Sequence, residues 1–403
     1  MEGDTICEKC GQVIPRGTAD CPNCRSLQDL DLRRESLLLI SLVLLGVLFV
    51  ITGFAVKLYH ARERSLGGRW YTQGENNLQE GKAQAAVLDF RTALLHASDN
   101  PVYQLRLAQA LVSSNRLAEA RSYLLRLWES NPADGQVNLE MAHVAMKQGN
   151  AQEVIRYFHN AIDGVWQNAP PGRRRALRQE LCEYLIAHDQ RAEALAELMA
   201  LSSETPENAA LRTQVASLFL EAQDYDVALE QYKRSLGLDR RQPEAWAGAG
   251  EAAFQLGDYR AAREDLAHAI SERSRNPGVM RLYALAGHVL QMNPFDRRVP
   301  AAVRRRRVIA AFNQALKRLA SCAASQHENL QVSPPQTGLQ KLYATAAQMK
   351  PGETEQNLRR NPDLVDTTMQ LVFQVERTTA GECGPPQGAN QALLLIAQSG
   401  GSQ

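Results

Sequence analysis

Residues 246–266, which read WAGAGEAAFQLGDYRAAREDL, decide how this chain folds. Small residues, among them Gly250, stand where two helices would cross, and small side chains let helix backbones approach closely. Gly257 can adopt the left-handed conformation that ends one helix before the next begins. The stretch therefore predicts two helices that are joined by a tight turn and packed against each other.

The same pattern occurs six times, and its turn residue recurs at intervals of 34, 34, 40, 34 and 34 residues. In each copy a small residue stands seven positions before the turn residue, and an aromatic residue or leucine stands nine positions after it. A 34-residue period indicates stacked helix pairs, because one pair alone cannot bury its apolar face. The turn residues are Gly81, Asn115, Gly149, Asp189, Gln223 and Gly257.

This pattern resembles the tetratricopeptide repeat, and the resemblance covers residues 68–277. The family's early tryptophan is matched by Trp70 and Trp246, and its closing proline by Pro132 and Pro206. The resemblance implies an all-α fold in which residues 68–277 form a superhelical solenoid of about six repeats. It also implies a scaffold that binds proteins or peptides. The sequence contains no phosphate loop, HExxH or GxSxG motif that would indicate an enzyme.

The first helix of each repeat is expected to line the concave face of the solenoid, so its fifth and ninth residues are the candidates for partner contact. Family members that grip the C-termini of chaperones carry lysine and asparagine at these two positions, and no copy here matches. A carboxylate clamp is therefore not predicted, because the groove lacks the cations it needs. The candidate groove residues are Tyr71, Glu75, Gln109, His143, Thr213, Ser217 and Glu251.

An uncharged apolar run from Leu37 to Val56 precedes the repeats. Its length matches a helix that crosses about 30 Å of hydrocarbon, and it predicts a single transmembrane helix over residues 36–57. A buried core helix would show a polar face, which this run lacks. A cleavable signal peptide would begin earlier and end in a small-residue cleavage site. The run holds no ionisable residue that would suggest transport.

Two Cys-x-x-Cys pairs stand in front of the apolar run. Cys7, Cys10, Cys21 and Cys24 can supply four thiolates to a tetrahedral structural Zn²⁺, which leaves no open position for catalysis. Residues 1–32 are therefore interpreted as a zinc ribbon whose folding depends on the metal. The segment resembles the small zinc ribbons at the start of bacterial membrane proteins. Disulfides or a redox-active pair are the alternatives.

The chain departs from the repeat after residue 277. Residues 278–325 are predicted to be capping helices for the open end of the stack, and residues 326–403 a tail of helices and loops. Cys182 occupies a small-residue position of a repeat and is expected to be a buried packing residue. Cys322 and Cys383 would form a disulfide in an oxidising compartment, or remain two free thiols in the cytosol.

The orientation of the predicted anchor follows from redox chemistry rather than from charge. Three basic residues precede the apolar run and four follow it, which is too small a difference to set the topology. Zinc thiolates require a reducing compartment, so the N-terminus is predicted to face the cytosol. The repeats would then lie in the periplasm of a bacterium, attached to the inner membrane. The alternative places the repeats in the cytosol.

Two classes of function follow from the sequence. The favoured one is a non-enzymatic, membrane-tethered scaffold that binds a protein or peptide in the concave face of the repeats. The alternative is a regulatory or sensor protein whose cytosolic zinc ribbon contacts a partner or nucleic acid. A net charge of +1 and a ribbon with few basic residues argue against nucleic acid. The partner, the pathway and the oligomeric state are not indicated by the sequence.

Overall fold

The structure is a computed structural model of the 403-residue chain. It describes residues 5–14, 17–167, 170–274, 276–350 and 354–399. Within these ranges the fold is all-α, and the β-structure is limited to isolated bridges between Ile6 and Val13 and between Asp134 and Val165. The chain divides into two compact units, Met1–Trp166 and Gln167–Gln403, and each is described separately below.

The first unit contains three packed helix pairs, in which α1 pairs with α2, α3 with α4, and α5 with α6. Helix α1 is much the longest of these six helices, because it contains both the apolar run and the first helix of the first repeat. The segment predicted as a separate transmembrane helix over residues 36–57 therefore lies inside one continuous helix. The bounds are α1 Pro22–Gln79, α2 Ala83–His96, α3 Pro101–Ser113, α4 Leu117–Ser130, α5 Gly135–Gln148 and α6 Ala151–Asp163.

The second unit contains three further pairs and a helical cap. Helix α14 packs against α17, and α13 packs against α18. The bounds are α7 Arg173–Ala187, α8 Arg191–Glu204, α9 Ala209–Glu221, α10 Tyr225–Leu238, α11 Pro243–Gln255, α12 Tyr259–Ser271, α13 Pro277–Met292, α14 Ala301–Ser325, α15 Gly338–Met349, α16 Glu355–Arg360, α17 Asp363–Cys383 and α18 Gly388–Ser399.

The turn between the two helices of each pair has the same backbone geometry in all six copies. Each turn residue has a positive φ, between 56° at Asp189 and 80° at Gly257. The residue after it donates its N–H to the carbonyl oxygen five residues earlier, at N···O distances of 2.8–3.1 Å. This hydrogen bond is the Schellman closure of a helix end. Three turn residues, Asn115, Asp189 and Gln223, adopt this conformation without being glycine.

The helix pairs pack through the small residues that the sequence pattern identifies. The residues seven positions before the turn and five positions after it are buried in every copy. A Cβ atom placed on Gly74 would lie 2.7 Å from Cε1 of Phe90, which shows how closely the helices approach there. The residues nine positions after the turn fill the space between helices and are at most 3% exposed. They are Phe90, Leu124, Phe158, Leu198, Tyr232 and Leu266.

The C-terminal cap shares one apolar core with the last helix pair. Phe254 of α11 belongs to the same buried cluster as Phe312 and Leu319 of α14, Val372 of α17 and Leu393 of α18. The cap therefore covers the apolar face that the last repeat would otherwise expose to water, as the end of a repeat stack requires.

The cap also buries a carboxyl group that no neighbouring residue satisfies. The side chain of Glu376 in α17 is fully buried, and neither of its carboxylate oxygens has a hydrogen-bond partner in the described part of the chain. Desolvation raises the pKa of Glu376 to about 7, and the charge of Arg318 opposes this shift. Burial thus shifts this carboxyl toward its protonated form.

Replacement of Gly250 by alanine should destabilise the protein. The added Cβ would lie 2.6 Å from Cγ of Leu266, which is fully buried. We expect Gly250→Ala to lower the free energy of unfolding by roughly 1–3 kcal/mol through overpacking. The midpoint of thermal unfolding, followed by circular dichroism of the full-length protein, measures the effect.

Gly287→Ala in α13 is the matched control, because the nearest atom to its added Cβ is Nε of Arg263 at 3.6 Å. This variant should be neutral, or stabilised by up to about 1 kcal/mol through the better helix propensity of alanine. An equal effect of the two substitutions would show that the helices do not cross at Gly250.

Candidate metal centre and groove faces

The four N-terminal cysteines form one cluster. Their Sγ atoms all lie within 4.8 Å of one another. The Sγ atoms of Cys7 and Cys24 are 3.7 Å apart, and those of Cys10 and Cys21 are 3.5 Å apart. A tetrahedral zinc with Zn–S bonds of about 2.3 Å places its sulfurs about 3.8 Å apart. The cluster could therefore bind a metal ion, and its size suits Zn²⁺.

Two different local structures bring the cysteine pairs together. Cys7 and Cys10 lie on a short hairpin, which is closed by hydrogen bonds from the N–H of Cys7 to the carbonyl of Gln12 and from Ile14 to Thr5. Cys21 is the N-cap residue of α1, and Cys24 lies in the first turn of this helix. The second pair thus stands at the positive end of the helix dipole, which favours thiolates.

The electrostatics of the cluster also suit a cation. Backbone N–H groups of Cys10 and Lys9 donate to the sulfur of Cys7 and lower its pKa to about 6. Hydrogen bonds with the sulfurs of Cys10 and Cys7 raise the pKa of Cys24 to about 12, because they stabilise the protonated thiol. A divalent cation would displace this proton and hold all four sulfurs as thiolates.

The predicted groove residues of the first unit lie on the first helices of three successive pairs. Tyr71 and Glu75 belong to α1, and Arg106 of α3 binds both, with its Nε 3.1 Å from Oε1 of Glu75 and 3.5 Å from the Tyr71 hydroxyl. The ring of Tyr71 stacks on Tyr103 at a centroid distance of 5.0 Å. Arg106 also donates from Nη1 to Oε1 of Gln109 at 2.8 Å.

The polar contacts continue from α3 to α5. Gln109 donates from Nε2 to Oε1 of Glu140 at 2.7 Å, and Gln136 donates to the same oxygen at 3.0 Å. Nδ1 of His143 lies 3.4 Å from the other carboxylate oxygen of Glu140. Gln109, Glu140 and His143 line an open cleft of about 510 Å³, whose apolar wall includes Val112 and Met146.

The predicted groove residues of the second unit line a different cleft, of about 340 Å³. Thr213 and Ser217 belong to α9, and Glu251 belongs to α11. The Thr213 hydroxyl lies 2.8 Å from Oγ of Ser235 and donates to Oε1 of Gln242 at 3.0 Å. Ninth-position residues line both clefts, whereas fifth-position residues line only the second; Tyr71 and Glu75 are not among the residues that line the first cleft.

Sequence reasoning missed several residues that line these clefts or hold their lining in place. Arg106 and Glu140 both stand at the sixth position of their copies, directly after the fifth position that the pattern selected. Gly248 is the sixth residue of the last copy and lines the second cleft. Including the sixth position of each copy in the prediction would therefore have identified Arg106, Glu140 and Gly248. Tyr232 also lines the second cleft, although the repeat pattern assigns it to the core.

The helix α1 carries the one stretch in the described residues that is long and apolar enough to span a membrane. It lies within Ile40–Gln79, has a mean hydropathy of 2.3 and is not buried by any other part of the protein. Large apolar side chains such as Phe49, which is 80% exposed, surround the helix.

The cysteines after α1 occupy two different environments. Cys182 is fully buried at a helix crossing, and desolvation raises its pKa to about 12. Cys322, near the end of α14, and Cys383, the last residue of α17, form a disulfide with Cα atoms 5.7 Å apart. The disulfide joins the capping helix to the C-terminal tail.

Comparison with protein families identifies the repeats. The family described as tetratricopeptide repeat matches residues 77–143 and 213–277. The chain therefore contains tetratricopeptide repeats, which generally serve as protein–protein interaction scaffolds, and no enzymatic family is indicated. Comparison with curated protein sequences gives no match.

Solved structures with similar folds are also tetratricopeptide repeat proteins. One is the C-terminal part of a repeat protein from Cytophaga hutchinsonii, with 12% identity over 60% of this chain and 94% of that one and a TM-score of 0.44. YrrB, described as having an unusual peptide-binding site, has 19% identity over 47% and 95% and a TM-score of 0.36. A protein from Parabacteroides merdae has 16% identity over 55% and 84% and a TM-score of 0.34.

The cysteine cluster should hold one zinc per chain. Elemental analysis of the full-length protein, purified under reducing conditions, is expected to give one equivalent, and Cys21→Ser should lower it because one of four ligands is lost. Cys182→Ala is the matched control, because alanine stands at the same position in other copies and Cys182 is not one of the four clustered thiols. Metal-free protein whose four N-terminal thiols react freely in native buffer would refute the site.

Proposed function

We propose that the protein is a non-enzymatic scaffold, anchored in a membrane by α1, that binds protein or peptide segments in the concave faces of its repeats. The observation that carries this proposal is the pair of clefts on the first helices of the repeats. Residues that serve only packing have no need of polar groups there, yet Gln109, Glu140, Thr213 and Glu251 line these open surfaces.

The polar groups of the first cleft are held in place before any partner arrives. Arg106, Gln109 and Glu140 fix one another through hydrogen bonds of 2.7–2.8 Å. Side chains that are already ordered lose little entropy on binding, which favours affinity. The half of the cleft formed by Val112 and Met146 offers apolar contact beside these groups. Together they suit an extended peptide with alternating polar and apolar side chains.

The proposed membrane arrangement places the two ends of the chain in different redox environments. Four closely spaced thiols lie before the apolar stretch of α1, and a disulfide between Cys322 and Cys383 lies after it. Zinc thiolates persist in a reducing compartment, whereas disulfides persist in an oxidising one. This difference supports an N-terminus in the cytosol with structural Zn²⁺ and repeats in the periplasm, as in a bacterial inner-membrane protein.

The N-terminal segment supports a second candidate function, a sensor whose zinc ribbon contacts a cytosolic protein. Ile6 and Val13 face each other across the hairpin and are 64% and 56% exposed. Two adjacent apolar side chains on so small a unit offer a surface for a protein partner rather than for nucleic acid. The repeats would then regulate the ribbon.

Site-specific photocrosslinking in cells tests which face binds a partner. A photoreactive residue in place of Ser113 or Gln214, both of which line the clefts, should give discrete crosslinked products. Ser122, which is exposed on the second helix of its pair, is the matched control and should give none. Combining Glu140→Leu with the photoreactive residue at position 113 should lower the yield of crosslinked product, because the first cleft then lacks its fixed carboxylate. If crosslinked products form only when the photoreactive residue replaces Gln12 of the hairpin, the sensor function would be favoured.

The topology is tested by thiol labelling. In Ser203→Cys the new thiol lies at an exposed position of α8. We expect a membrane-impermeant maleimide to label it in spheroplasts without permeabilisation, because the repeats would lie outside. Cys322 and Cys383 should react only after reduction and denaturation. Labelling of the Ser203→Cys thiol only after permeabilisation, together with free Cys322 and Cys383, would place the repeats in the cytosol.

A further inference from the structure

The cleft of the second unit contains an unusual arrangement of a tyrosine and a glycine. Tyr232 projects from α10 toward α11, and its ring lies directly over the backbone of Gly248. A Cβ atom at position 248 would lie 2.1 Å from Cζ and 2.4 Å from the hydroxyl oxygen of Tyr232. The hydroxyl therefore reaches the lining of the cleft only because residue 248 is glycine.

The hydroxyl group of Tyr232 has no partner within the described part of the protein. The residue is only 3% exposed, yet it lines the cleft and neither donates nor accepts a hydrogen bond. Tyrosine hydroxyls normally make a hydrogen bond, and the open cleft leaves this one for solvent or a ligand to supply. A buried side chain that presents its one polar atom to an open cleft is the arrangement expected of a ligand contact.

Glu251 stands in the same cleft and is also unpartnered. Its carboxylate is half-buried and makes no hydrogen bond or ion pair among the described residues. Partial burial raises its pKa, and Arg281 on α13 opposes this effect without forming an ion pair. The charges of Glu251 and Glu221 both act on Tyr232. A second carboxylate, that of Glu244, lines the cleft, and none of the described lining residues is a lysine or arginine.

The two clefts therefore differ in electrostatic character. In the first unit, Glu140 already accepts hydrogen bonds from Gln109 and Gln136, so its charge is satisfied within the protein. In the second unit, the charge of Glu251 has no such donors. A carboxylate and an acceptor hydroxyl that line one cleft, with no cation among the described lining residues, are complementary to a cationic group.

We propose that the cleft of the second unit binds the cationic side chain of a peptide partner, a lysine ammonium or an arginine guanidinium, with Glu251 as its counter-charge and the Tyr232 hydroxyl as a hydrogen-bond acceptor. This inference rests on the proposed peptide-binding function and specifies one partner residue for it. Leu220 and Ala247 in the lining provide apolar contact for the aliphatic part of the bound side chain.

Affinity selection with defined peptide mixtures tests the proposal. Acetylated, amidated heptapeptides carry lysine, arginine, norleucine or glutamate at the central position and uncharged residues elsewhere. The full-length protein in detergent is equilibrated with each mixture, and the bound peptides are quantified by mass spectrometry. We expect lysine or arginine peptides to be enriched about tenfold over norleucine peptides, the size expected for one charge-assisted hydrogen bond. Glutamate peptides should be depleted.

Variants link this preference to the cleft. Glu251→Gln should remove most of the preference for the cation, and Tyr232→Phe should reduce it. Glu264→Gln, which removes the same charge from an exposed position of α12, is the matched control and should leave the preference unchanged. Unchanged thermal unfolding midpoints establish that each variant is folded, and Glu251→Gln alone suffices if Tyr232→Phe unfolds.

The outcomes separate this inference from the general function. Peptide binding without preference for lysine or arginine, or a preference that survives Glu251→Gln, would overturn the cationic subsite and leave the scaffold function intact. Folded protein that retains no peptide from any mixture would overturn both.

Discussion

The close approach of two helices within each repeat is the constraint on which the rest of the structure depends. No helix pair can bury its own apolar face, so each relies on its neighbours for a core. The approach requires a small residue at each crossing and a left-handed residue at each turn. Where Gly74 meets Phe90 or Gly250 meets Leu266, even one added carbon atom would collide. The clefts exist because this spacing places the first helices side by side.

The features that depend on the close approach of the two helices could be predicted from the sequence. Turn residues could be located by period alone, and even Asn115 and Gln223 take the left-handed conformation at the predicted positions. Of the predicted groove residues, Gln109, His143, Thr213, Ser217 and Glu251 line a cleft, and their role in partner binding stays a prediction. These features depend on the residue's position in the repeat, which a sequence shows directly.

The features that the sequence did not reveal depend on contacts between helices. Tyr232 occupies a core position of its repeat, and its hydroxyl is available only because a glycine on the next helix leaves room for it. Glu376 sits in an amphipathic helix with nothing in its neighbourhood to mark it as buried. The continuity of α1 was also hidden, because the polar residues after Lys57 are good helix formers and look like an ordinary linker.

The continuity of α1 has a mechanical consequence. Its 58 residues correspond to a rod of about 87 Å, with one end at Cys21 and the other at the first repeat turn. Because the helix is continuous over this length, a tilt or axial rotation at the cysteine end would be carried along it to Tyr71 and Glu75. These two predicted groove residues thus lie on the same helix that begins beside the cysteine cluster. A partner that pulls on them would turn the cluster without any signal passing through a loop.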